Sequence, residues 1–182
     1  YDGRLGTRTT LDAFVGEALG TDLVAFGELH GHPVGAEYQL RLVKALDAKG
    51  ARPVALAMEF FEADHQEALD AYLAGEMDEE TFKKETGRNS EYDATHAPLV
   101  EWAKANGAPV IAANAPRKLV RAYRKTDLDY DAWRASLSEE ERTWLPTATS
   151  TIEDAYWARF AALKGAKMAK PFFRSQSLWD VA

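Results

Sequence analysis

Three short apolar runs punctuate the chain: Leu23-Val24-Ala25-Phe26, Pro53-Val54-Ala55-Leu56-Ala57-Met58 and Pro109-Val110-Ile111-Ala112-Ala113. Each is too brief for a helix and is bounded by turn formers, as a strand buried on both faces would be. Between and around them apolar residues recur at helical spacing. Leu11, Phe14, Val15 and Leu19 mark one helix. Tyr38, Leu42, Ala45 and Leu46 mark a second over 34–48, with Gly50 past its end, where a left-handed residue is wanted. Ala68, Leu69, Tyr72 and Leu73 place a third at 64–74, and Leu99, Trp102 and Ala103 another at 97–106 with Pro98 in its first turn. Pro116 opens a helix carrying Leu119, Val120 and Tyr123. Residues 76–96 break the pattern: they are charged and poor in aliphatic side chains, and read as a short helix and an excursion.

From about 127 the strand-like runs cease. Ser138-x-x-Glu141 is a capping box for a helix that ends before Pro146. Thr151-x-x-Asp154 resembles a second helix start, followed by the stripe Ile152, Tyr156, Phe160 and Leu163, and another helix begins near Phe172. Alternating strands and helices predict an α/β fold: a mainly parallel sheet with flanking helices and right-handed crossovers, plus a small helical lobe. Residues 1–126 would form the sheet core and 127–182 the lobe or insertion. The chain opens at Tyr1 and stops at Trp179-Asp180-Val181-Ala182 inside a predicted helix, so a fragment ending before a last strand is expected.

Composition narrows the function. The 182 residues are 46% apolar and 28% charged, ordinary for a globular protein. The formal charge of −7 and the lack of a basic block argue against nucleic acid or an anionic membrane as partner. With no cysteine, thiolate metal sites, thiol nucleophiles and disulfides are excluded. No run approaches a membrane span and no signal peptide is visible.

If all three strands form, their carboxyl ends carry Glu28 with His30, then Glu59, then Asn114. In a parallel sheet such ends share one edge, where ligands bind. Carboxylates with imidazole perform acid–base work or hold a divalent metal ion through mixed N/O ligands. The same residues also suit a solvated loop or helix caps, and spacing alone does not separate these readings. Arg117, in a helix first turn against the dipole preference, would be explained by a substrate anion, a buried carboxylate or plain solvation. Glycine-rich phosphate loops and nucleophile-elbow serines are missing. With cysteine absent, tyrosine and histidine are side chains here that could bind a haem iron.

Four segments in order, Phe26-Gly27-Glu28-Leu29-His30, Ala57-Met58-Glu59-Phe60-Phe61, Pro109 to Arg117 and Ser175-Gln176-Ser177-Leu178-Trp179-Asp180, resemble the ChaN-like haem-binding lipoproteins. That family belongs with the erythromycin-esterase-like and Tiki/TraB proteins. The resemblance implies haem as cofactor, tyrosine as iron ligand, a homodimer around the haems, and an exported, lipid-anchored protein of bacterial iron acquisition. Tyr92 is then the candidate ligand, His96 a second ligand or its partner, and Asn114 and Arg117 further members of the site. Relatives that hydrolyse peptides or esters imply the alternative, with Glu28, His30 and Glu59 holding a metal ion or activating water. The stretch before the third strand is poorer in aromatics than the family pattern, and no lipobox cysteine is present.

Overall fold

The computed structural model describes residues 2–50, 52–87, 90–149, 155–164 and 166–179. Helices dominate: α1 (Leu11–Ala18), α2 (Pro33–Ala48), α3 (Gln66–Leu73), α4 (Glu79–Glu85), α5 (Ser90–Thr95), α6 (Ala97–Asn106), α7 (Arg117–Lys125), α8 (Tyr130–Ala135), α9 (Glu139–Thr143), α10 (Ala155–Lys164) and α11 (Ala166–Trp179). The described residues hold one sheet of two strands, β1 (Leu56–Glu62) and β2 (Val110–Asn114).

The expected mainly parallel α/β sheet is therefore not what the chain forms; the protein is predominantly helical. The first apolar run is the reason. Residues 23–27 adopt no regular structure, and Leu23 and Phe26 are 79% and 44% exposed. Apolar composition makes a strand only where a neighbour supplies ladder hydrogen bonds and other layers cover its faces. The second run forms a strand displaced toward its C-terminus. Phe60 and Phe61, good strand formers, extend it to Glu62, and Phe61 is wholly buried.

The chain divides into two compact units. The first comprises residues 1–57 and 68–111. Here α1 packs on α2, and α2 on α5 and α6. Local signals explain the ends of these helices. Thr10 caps α1 by accepting the Ala13 N–H, and Asp78 does the same for α4 from Thr81. Gly107 closes α6 in the left-handed conformation at φ 64°. Leu42, Leu69, Tyr72, Phe82, Tyr92, Leu99, Val100 and Trp102 are buried in this unit.

The second unit comprises residues 58–67 and 112–182. Its core gathers Ala115, Leu119, Val120, Tyr123, Tyr130, Trp133, Leu145 and Leu178. Helix α11 lies against α7 and α10. Phe173 meets Trp157 and Phe160 edge-on, and the Arg174 guanidinium sits 4.4 Å over the Tyr123 ring while bonding the Thr126 carbonyl. The expected helix start at Thr151, Ile152 and Asp154 lies outside the described residues, as does the side chain of Tyr156; Leu163, expected to face inward, is exposed.

Candidate functional site

In the first unit one carboxylate holds two imidazoles. Glu28 Oε1 lies 2.9 Å from His30 Nδ1, and Glu28 Oε2 lies 3.0 Å from His96 Nε2. The Gln39 amide of α2 donates to Oε2 at 3.4 Å. Partial burial would raise the Glu28 pKa, but the His30 and His96 interactions outweigh it and hold the carboxyl below its usual range. Glu28 is thus an ionised acceptor, so each imidazole nitrogen facing it must carry the proton. His96 then donates from Nε2, and its Nδ1 lies 2.7 Å from the Thr95 hydroxyl. His96 is buried, with both ring nitrogens engaged. His30 is the outer end of the chain, its side chain 73% exposed.

Large apolar side chains stand exposed on both sides of His30 in sequence. Leu23, Phe26 and Leu29 precede it, and Val34 and Tyr38 follow on the first turns of α2. Helix α2 starts where it does because Pro33 occupies its first turn and His32 caps it, accepting the Gly35 N–H at 3.2 Å. His32 is therefore committed to structure, whereas His30 is not part of a cap.

Tyr92 lies in different surroundings. It is wholly buried on α5, edge-on to Phe82 at 6.0 Å, and Phe82 stacks on Tyr72 at 4.6 Å. Lys83 sits 5.8 Å over its ring while pairing with Glu79 and Asp93. Burial, with neighbouring Tyr72 and Glu101 adding to it, pushes the Tyr92 phenol well above its ordinary value. Ferric iron takes the phenolate, which this environment disfavours.

The remaining candidates lie in the second unit. Glu59 is exposed on β1 and no longer ends the strand; that place falls to Glu62. Asn114 ends β2, and its buried Oδ1 has no hydrogen-bond partner among the described residues. Arg117 pairs with a half-buried carboxylate: its backbone N–H donates to Glu62 Oε2 at 2.9 Å and its Nε faces Oε1 at 3.2 Å. With 23–27 not a strand, the shared strand-end edge on which Glu28, His30, Glu59 and Asn114 were expected to meet does not exist in that form. The structure brings Glu28, His30 and His96 together.

Sequence reasoning passed over Glu62, Asp64 and His65, whose potential ligand atoms lie within 4.8 Å of one another. The signal was a Glu-x-Asp-His run just after the second apolar segment. Arg117 and Lys118 neutralise this group, Lys118 Nζ lying 3.1 Å from Asp64 Oδ2. The internal cations would compete with a metal ion there.

The family model described as "Haem-binding uptake, Tiki superfamily, ChaN" matches residues 14–182, and the chain belongs to that family. No curated protein and no solved structure matches the chain.

Proposed function

We propose that the protein binds haem and serves haem or iron uptake outside the cytoplasm. The single observation that carries this reading is the family match over residues 14–182. The exposed apolar side chains from Leu23 to Tyr38 support it, because a porphyrin is broad and apolar and such side chains mark ligand or partner surfaces. When bound, haem supplies an iron centre that must be taken up and handed on. The chain's part is to offer apolar contact and a ligand atom. A homodimer closing over the porphyrin would bury more of it than one subunit can, and belongs to this proposal. No described helix is long and apolar enough to cross a membrane. A lipid anchor, which the family resemblance implies, belongs to the same proposal.

The test is a haem titration of the full chain followed by visible absorption, with molecular mass measured at each step. A saturable spectral change with a mass near twice that of one chain is expected. No saturable change overturns the reading.

A second reading is favoured by the Glu28 pair of imidazoles. An ionised carboxylate between two histidines suits general-base or metal-dependent hydrolysis of the kind the superfamily alternative implies. Ester and peptide substrate panels with added Zn2+ or Mn2+ test it. Activity abolished in both Glu28→Ala and His30→Ala is its expected signature.

A further inference from the structure

We infer that the exposed face of α7 is a docking surface for anionic lipid headgroups. This holds whether or not haem binds. The helix reads Arg117-Lys118-Leu119-Val120-Arg121-Ala122-Tyr123-Arg124-Lys125, with five cations and no acid in its 9 residues. The whole chain carries −7, so with +5 on α7 the remainder carries −12. That net acidity conceals the one strongly basic stretch until it is wound into a helix. At 3.6 residues per turn all five cations fall on one arc of about 120°. Leu119, Val120 and Tyr123 occupy the opposite side and are buried in the core of the second unit.

Two of the cations are answered by acids: Arg117 faces Glu62 at 3.2 Å and Lys118 faces Asp64 at 3.1 Å. Arg124 lies 5.2 Å over the Phe172 ring of α11. Arg121 and Lys125 are exposed and pair with no acid among the described residues. Arg121 has like charges three or four residues away on both sides, at 117, 118, 124 and 125. Such spacing destabilises a helix, and here the buried apolar side holds it together. An anionic surface laid on the cationic arc replaces that repulsion with attraction. Protein partners are recognised through an apolar centre within a polar rim, where lysine is depleted. Besides its cations α7 exposes only Ala122, so it offers no such centre. A field of phosphate headgroups needs only clustered positive charge on one helix face. The same field repels the acidic remainder, so the α7 face is the one a bilayer accepts.

The experiment measures co-sedimentation of the full chain with vesicles of phosphatidylglycerol and phosphatidylcholine in equal parts, and with vesicles of phosphatidylcholine alone. Wild type should bind the first and not the second. Raising salt from about 0.05 M to about 0.5 M should release it, because the screening length shrinks severalfold. Arg121→Ala and Lys125→Ala should each weaken partition about 5-fold, and the pair about 30-fold. Lys44→Ala with Lys49→Ala removes the same charge from exposed positions on and just after α2 and should leave partition nearly unchanged. Circular dichroism should match wild type throughout, since every replaced side chain is exposed. Three results overturn the assignment: no binding of wild type to the anionic vesicles, equal binding to both vesicle types, or equal loss in the two double variants. Binding to polyglutamate but not to the vesicles, lost in the α7 pair, also overturns it and makes the partner an acidic polypeptide.

Discussion

Phe82 shows how a residue in a charged, unpromising stretch can hold a core. It is wholly buried, stacks on Tyr72 and meets Tyr92 edge-on. Phe82→Ala should cost about 3–5 kcal/mol, read as a lower denaturant midpoint at unchanged slope. The capping box at α9 predicts a pH effect. Ser138 donates its N–H and hydroxyl to Glu141 Oε2, each at 3.0 Å, which lowers the Glu141 pKa from 4.5. A carboxylate depressed by folding stabilises the native state above its unfolded value, and that contribution fades as pH falls through the lowered one. Glu141→Gln should therefore flatten the acid side of a plot of melting temperature against pH. The Ser-x-x-Glu signal was legible because cap and partner are three residues apart. The His96–Glu28 bond was not, because 68 residues separate its ends and no local spacing encodes the contact. Phe82 and Tyr92 were equally hidden, since their neighbours in sequence are charged.

At the scale of elements, the helices were readable, and two of the three expected strands formed, at Leu56–Glu62 and Val110–Asn114, while 23–27 did not. Period, Pro at the first turn and Gly past the end all act within a few residues, which is why α2, α6 and α7 fall close to their expected places. A strand depends on what lies beside it. The runs at 23–27 and 109–113 look alike as strings, yet only the latter region pairs, with the Leu56 N–H donating to the Pro109 carbonyl at 2.9 Å. β1 overran its expected end because Phe60 and Phe61 fit a strand as well as they fit the turn that was expected. Helix α11 carries a prediction of its own. Pro171 lies inside it, where proline cannot donate to the carbonyl one turn back. The side chain is exposed, so no packing is lost on replacement. Pro171→Ala should stabilise the protein, by up to about 3 kcal/mol, and should raise the melting temperature.

For the whole molecule, the decisive feature is how the chain is shared between its two units. Residues 58–67 belong with 112–182, and residues 68–111 belong with 1–57, so the backbone passes between units at 57/58, 67/68 and 111/112. A fragment of residues 112–182 lacks the β1 segment that supplies Phe61 and Glu62. Such a fragment should give poorly dispersed amide spectra, whereas addition of a peptide covering 56–67 should restore order. A well-dispersed spectrum from the fragment alone would show that the segment is dispensable. The same threading bears on how such a protein can change over generations. Neither unit is a single stretch of gene, so recombination at one point cannot lift either out as a cassette, and the two must be inherited, synthesised and repaired together.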